Sequence, residues 1–326
     1  MSLEAARGLE AEAAARAAAG RPAEAAEAAL AAAALYQEAG LLTRAAEAAS
    51  RAVLHQEAAG DRAGTALALS RLGQVYFLEG GWDRALTCYS EALARFEALE
   101  DPGAVASTLD SLGGVYQGKG QYEAALEQFR RSLAVKGTLQ DRAGTALTWN
   151  NIGGALARMG QVEEAAQAFR NSLNLHREAR NRLGEAVALG NLGMLAHQAG
   201  RLGEAEERLA ESAGLLDEAG DSLLRATTLN SLGLTRRRQG KFAGALEAFR
   251  LAAELMRARG DHLRATVALF NMAMVHEELG NYREALRLLE DVIALDRRSG
   301  HPDLKRDLEA FGRIREKLDA ERDARQ

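Results

Sequence analysis

The chain has 326 residues, 41 of them Lys or Arg and 46 Asp or Glu, for a formal net charge of −5 and a pI near 5.8. The two signs are interspersed, so no basic stripe tracks a phosphate backbone and nucleic acid is excluded as an expected partner. Three prolines, 5% aromatics and a surplus of alanine, leucine, glutamate and arginine favour helix over sheet. The one cysteine, Cys88, fits a reducing, cytoplasmic home, and no apolar run reaches the roughly eighteen residues of a membrane span.

Residues 1–20 predict an alanine-rich helix interrupted by Glu4, Arg7, Glu10, Glu12 and Arg16, too polar for a secretory signal and suited to capping an array. Residues 21–60 predict a degenerate helix pair opened by Pro22. Glycine then falls at 40, 80, 120, 160, 200, 240 and 280, a forty-residue period without insertion, and 61–300 divide into six such units. Midway lies a second turn: Gly60-Asp61, Glu100-Asp101, Gln140-Asp141, Arg180-Asn181, Gly220-Asp221 and Gly260-Asp261. Asp or Asn there caps the free N–H groups of a first helix, and glycine at the other turn takes the left-handed conformation that ends one. Each unit is therefore two helices, the first ones opening near 61, 101, 141, 181, 221 and 261. Pro22, Pro102 and Pro302 share one phase, just after the expected cap, where a missing N–H costs nothing. That phase predicts a last helix from Pro302 within 301–326, with Leu304, Leu308, Phe311, Ile314 and Leu318 on one face to close the core.

First helices carry L-x2-L-G-x2-Y, as Leu69, Leu72, Gly73, Tyr76 and Leu109, Leu112, Gly113, Tyr116. Second helices carry Gly80, Trp82, Ala85, Leu86, Tyr89, Ala92, Leu93 and the matching Gly120, Tyr122, Ala125, Leu126, Phe129, Ser132, Leu133. Small residues at helical spacing let neighbouring helices approach while bulky ones fill the gap. The pattern resembles the tetratricopeptide repeat, with Trp149, Ile152 and Gly153 where that family has its consensus tryptophan. The units have forty residues rather than the family's common thirty-four and lack its proline after the second helix. With D-R-x-G-x-A at Asp61 to Ala66 and Asp141 to Ala146, they look more like the Pins-type spindle-orientation adaptors and the repeat arrays of bacterial signalling regulators. The resemblance implies an all-α, right-handed α-solenoid whose first helices line a concave groove.

If Trp149, Ile152, Gly153 and Leu156 face the core, a helical wheel places Leu147, Asn151, Gly154 and Arg158 opposite. Stepping by forty gives Val187, Asn191, Met194 and Gln198, then Arg238, Asn271 and Met274 among their equivalents, with Leu67, Arg71, Gln74, Ser107, Ser111 and Gly114 earlier. A merely solvated face would be mostly charged; this one mixes aliphatics with amides and hydroxyls, as an interaction surface does. Partial burial between neighbouring helices is the plainer account of any single aliphatic residue. Asn150, Asn151, Asn191, Asn230 and Asn271 sit mid-helix, where asparagine is a poor helix former. Their amides could pair with the backbone of an extended peptide, or tie consecutive helices together. Arg158 and Arg238 favour a peptide with acidic, amphipathic character. Arg236, Arg237 and Arg238 also suit a helix C-terminus in their own right.

No catalytic, metal or cofactor motif occurs, and His55, His176, His197, His262, His276 and His301 are scattered; a lone histidine such as His197, and Cys88 beside Tyr89, read as structural. The expected function is a non-enzymatic protein- or peptide-binding adaptor, monomeric and without a cofactor. The alternatives are a ligand-sensing module of a bacterial signalling system and a self-assembling structural solenoid.

Overall fold

The computed structural model describes residues 2–300 and 302–323; Met1, His301 and 324–326 of the two end segments lie outside the described residues. Sixteen α-helices and no strand are present among the described residues. A leading helix, α1 (Ser2–Ala18), is followed by alternating first and second helices. The first helices are α2 (Pro22–Glu38), α4 (Arg62–Leu78), α6 (Pro102–Gly118), α8 (Arg142–Arg158), α10 (Arg182–Gln198), α12 (Ser222–Arg238) and α14 (His262–Glu278). The second helices are α3 (Leu42–Ala59), α5 (Trp82–Ala98), α7 (Tyr122–Leu139), α9 (Val162–Glu178), α11 (Leu202–Glu218), α13 (Phe242–Ala258) and α15 (Tyr282–Ser299), and α16 (Leu304–Asp323) is the last helix among the described residues. They form two compact units, Met1–Ala165 and Ala166–Gln326. Within each unit consecutive helices pack as the all-α solenoid the repeat pattern predicts.

Local chemistry sets the boundaries. Asp61, Asp101, Asp141, Asn181, Asp221 and Asp261 each accept a backbone N–H two or three residues on, as from Gly64 at 2.9 Å and Ala104 at 3.0 Å. This satisfies a donor the helix leaves unpaired. At the other turn Gly80 sits at φ 79°, and the N–H of Gly81 reaches back to the Tyr76 carbonyl at 2.8 Å. Pro22 and Pro102 are the first residues of α2 and α6. The third proline departs from that phase: α16 opens at Leu304, because the Asp303 carbonyl accepts the Asp307 N–H at 3.1 Å and Pro302 stands before that cap.

Within a pair, a small residue of the first helix receives a large one sixteen positions later. A Cβ on Gly113 would lie 2.4 Å from Phe129, on Gly233 2.5 Å from Phe249, and on Gly193 2.7 Å from Leu209. Elsewhere the sizes rebalance: Ala273 is matched by Leu289, and Ala33 by Ala49, all buried. Such pairing brings the two backbones together at interior packing density. Several polar groups in this core find partners across helices. Ser132 donates to the Ala106 carbonyl at 3.0 Å and Ser212 to that of Ala186 at 2.7 Å. Lys136, 5% exposed, bonds Asp110 and the Thr148 hydroxyl, the latter at 2.7 Å.

Trp149, expected in the core, is only half-buried. Its equivalents Leu69, Leu109, Leu189, Leu229 and Leu269 are buried, and an indole is too large to vanish into a site sized for leucine. At the chain ends, the Tyr36 hydroxyl donates to Glu10 at 2.6 Å, binding α1 to α2. Helix α16 buries Ala310 and Ile314, lays Arg306 4.2 Å above the Phe270 ring, and places Arg313 and Lys317 on Glu277 at 2.8 and 2.7 Å.

Candidate functional site

First helices contact one another directly, α2 with α4, α4 with α6 and α6 with α8 in the first unit, α10 with α12 and α12 with α14 in the second. Each series makes a continuous helical wall. The residue on the side of each first helix opposite the core recurs on it: Leu67 is 50% exposed, Leu147 57% and Val267 41%.

In the first unit, α8 presents exposed Leu147 and Arg158 with half-buried Asn150 and Asn151. Arg158 donates to the Tyr122 hydroxyl at 3.3 Å. In the second unit, Val187, Asn191 and Met194 of α10 come together with Thr227 and Ser231 of α12 around a pocket of about 90 Å3, and Gln198 is exposed beyond it. A further pocket of about 140 Å3 collects Thr227, Asn230 and Val267. The second-unit asparagines are partly tied within the wall: Asn271 donates to Asn230 across 2.9 Å.

Two expected wall residues behave otherwise. Met274 is 7% exposed, not open on the wall, because α16 lies against it with Arg313 3.7 Å from its sulfur. The three arginines closing α12 are all engaged by the protein: Arg236 with Glu206 at 3.0 Å, Arg237 with Glu278, and Arg238 with the His197 carbonyl at 2.8 Å. His197 itself bonds the Thr235 hydroxyl at 2.9 Å, and burial, then Arg238, holds its pKa below the usual histidine value. Burial pushes the Cys88 thiol up to about 11, leaving little thiolate for chemistry.

A wider opening in the wall lies where the asparagine pattern gives no hint. Between α4 and α6 a pocket of about 540 Å3 is floored by Tyr89 and Phe96 and walled by Phe77, Ser107, Ser111 and Arg71. Burial raises the Tyr89 phenol to about 12, so it stays neutral. The signal in the sequence was negative: Ser107, Ser111 and Gly114 stand where α10 has Val187, Asn191 and Met194.

The tetratricopeptide repeat family matches residues 64–137, 144–218 and 224–298, more than half of the chain. A comparison with curated proteins finds no match. Among solved structures, the chain is similar to a signal transduction ATPase with numerous domains, carrying a tetratricopeptide repeat sensor, from Pyrococcus horikoshii. That likeness has a TM-score of 0.70 at 14% identity and covers 89% of this chain and 44% of that one. Aspartyl phosphate phosphatase F from Bacillus subtilis follows at TM-score 0.67 and 14% identity, covering 86% and 72%. A Rap protein complexed with competence and sporulation factor matches at TM-score 0.57 and 16% identity over 98% and 99%. At these identities the likeness shows the fold.

Proposed function

The chain belongs to the tetratricopeptide repeat family, and from that premise we propose that it is a non-catalytic binding module that holds an extended peptide or protein segment on the walls of its first helices. The observation that carries this reading is the recurrent exposure of aliphatic side chains at one phase of those helices, Leu67, Leu147 and Val267, amid amides and hydroxyls. Isolated exposed leucines are ordinary, but a band repeated along a wall marks an interaction surface.

The proposed contacts are Leu147, Asn150, Asn151 and Arg158 in the first unit, and Val187, Asn191, Met194, Gln198, Asn230, Arg238 and Asn271 in the second. Asn230 and Asn271 would offer the amide atoms their mutual bond leaves over. An extended peptide brings backbone N–H and C=O groups that cost roughly 1–3 kcal/mol each if buried unpaired, which is what these amides would relieve. Arg158 and Arg238 favour an acidic, amphipathic segment. In this reading 1–20 and 301–326 close the array, 21–60 is a degenerate repeat, 61–300 are six repeats, and the protein works as a cytoplasmic monomer. The similarity to a Rap protein solved with a bound factor, and to an ATPase with a repeat sensor, supports a second reading in which binding regulates a signalling partner.

The test is to pan a phage-displayed library of linear peptides against the full chain and measure selected peptides by fluorescence anisotropy. Leu147→Glu or Met194→Glu, both at exposed positions, is expected to weaken binding by at least about 1.4 kcal/mol, or tenfold, with helical content unchanged. A wild-type chain that selects no peptide, or affinities indifferent to both substitutions, would rule out the walls as the binding surface.

A further inference from the structure

The three pockets between consecutive first helices are built from the same repeat positions, yet they differ severalfold in size: about 540 Å3 between α4 and α6, against about 90 and 140 Å3 in the second unit. Side-chain volume on the second helix of each junction explains the difference. Helix α6 lines its pocket with Ala104 and Ser107, where α12 has Leu224 and Thr227 and α14 has Arg264 and Val267 at the same places. A Cβ added to Gly114 would meet only the Phe77 ring edge, at 4.0 Å. The space is therefore left open by the choice of residues, and its size falls within the roughly 300–1,000 Å3 of ligand pockets.

Its chemistry is divided. The floor is aromatic, with Tyr89 and Phe96 from α5 almost wholly buried and Phe77 on the side. The wall carries hydroxyls whose protons are already used: Ser107 donates to the Gly103 carbonyl at 3.0 Å and Ser111 to that of Ser107 at 3.1 Å. Their oxygens retain lone pairs toward the pocket. The Ser70 hydroxyl is buried there with no hydrogen-bond partner among the described residues. At the rim stands Arg71. Among the described residues no carboxylate lies within ion-pair distance of it, and it bonds only the amide oxygen of Gln74, at 3.3 Å. In this it differs from Arg236 and Arg237, which are paired with Glu206 and Glu278.

Resting on the proposed peptide-binding function, we propose that this pocket is the primary anchor of the first unit: it takes one bulky aromatic side chain of the bound segment, whose neighbouring Asp or Glu pairs with Arg71. Aromatic side chains gain from edge and offset contact with other rings beyond the area they bury. A guanidinium without an acidic partner is the group best suited to take a carboxylate bidentately. A tyrosine or tryptophan at the anchor would also give the Ser70 oxygen a proton to accept. The two smaller pockets of the second unit, one lined by Met194, Leu209 and Leu216 and the other by Ala252 and Met256, would accept only small residues.

The same linear phage library is panned on the full-length chain and on two variants. Gly114→Met installs the residue that positions 194 and 274 carry, so the repeat tolerates it; Ser111→Asn, the residue at 151, 191 and 271, fills the same space if the first variant loses helical content. Arg71→Glu reverses the charge at the rim. The wild type is expected to select peptides with Phe, Tyr or Trp next to Asp or Glu. A labelled peptide from that set should bind the filled pocket about tenfold or more weakly, as loss of an anchor does. Arg71→Glu should shift selection from acidic to basic neighbours. If wild-type peptides lack the aromatic–acidic pair, or bind the filled and charge-reversed variants as tightly as the wild type, the anchor assignment is overturned while peptide binding on the walls stands. If the wild type selects nothing, both fall.

Discussion

Replacing Gly113 by alanine tests the small-to-large packing that holds each helix pair together. The new Cβ would lie 2.4 Å from Cε1, 2.6 Å from Cδ1 and 2.8 Å from Cζ of Phe129, a ring that is 0% exposed. Carbon atoms in contact sit at about 3.5–4.0 Å, so the ring must retreat by about 1 Å into a filled core. Overpacking of that kind costs about 1–3 kcal/mol, while exchanging glycine for alanine within a helix returns about 0.8–1.0 kcal/mol. A net loss of about 1 kcal/mol is expected. Gly214→Ala supplies the reference: that glycine lies within α11, is exposed and has nothing within 4 Å, so the change should stabilise by nearly the full propensity difference. Adding Phe129→Leu to Gly113→Ala recreates the natural Ala273–Leu289 pair and should rescue the single variant, with a coupling of at least about 1 kcal/mol in a double-mutant cycle. Denaturant unfolding followed by circular dichroism measures each. If Gly113→Ala stabilises as much as Gly214→Ala, the close approach of α6 and α7 is not what the glycine serves.

Arg180 ends its helix pair at φ 53°, where its unit equivalents Gly60, Gly220 and Gly260 have no Cβ penalty; Arg180→Gly should stabilise by about 0.5–1 kcal/mol, and a lower melting temperature would contradict the strain. Lys136→Met leaves the Asp110 carboxylate beside an apolar chain and should cost about 3 kcal/mol, largely recovered when Asp110→Asn is added; equal losses in the single and double variants would deny the buried pair. Asp307, wholly buried on α16, is raised to about 6, first by burial and then by its hydrogen bond with Asp296, against the adjacent Arg306. Because the folded value exceeds the ordinary one near 3.8, its contribution is fully present below that range and is lost as pH rises through about 6. Glu277, lowered to about 2, first by Arg313, works oppositely and loses its contribution only as pH falls from about 4.5 toward 2. Between about pH 4 and 6.5 the wild-type melting temperature should therefore drop relative to Asp307→Asn, by about 2–4 °C per kcal/mol, and run level with it above; parallel profiles throughout would refute the acid pair.

The sequence by itself determined the period, the caps and the order of helices, because these are local. A capping Asp or Asn acts on an N–H two or three residues away, a glycine at φ near 75° acts on its own backbone, and a Gly–aromatic pair sixteen residues apart is a contact between neighbours in the chain. The same locality made the solvent-facing phase of the first helices readable, so that Leu147 and Met194 were found where they are exposed. What only the tertiary structure decided depends on which volumes meet across repeats. A helical wheel gives a direction but no neighbour, so Met274 looked open until α16 lay over it, and Trp149 looked buried although its site fits a leucine. Partners such as Asn230 and Asn271, or Arg237 and Glu278, stand 41 residues apart, one repeat plus one residue, a register that composition does not reveal. The pocket between α4 and α6 is the clearest case: it is made by side chains that are missing, and the void left by Ser107, Ser111 and Gly114 exists only once Tyr89 and Phe96 of the neighbouring helix are seen to floor it.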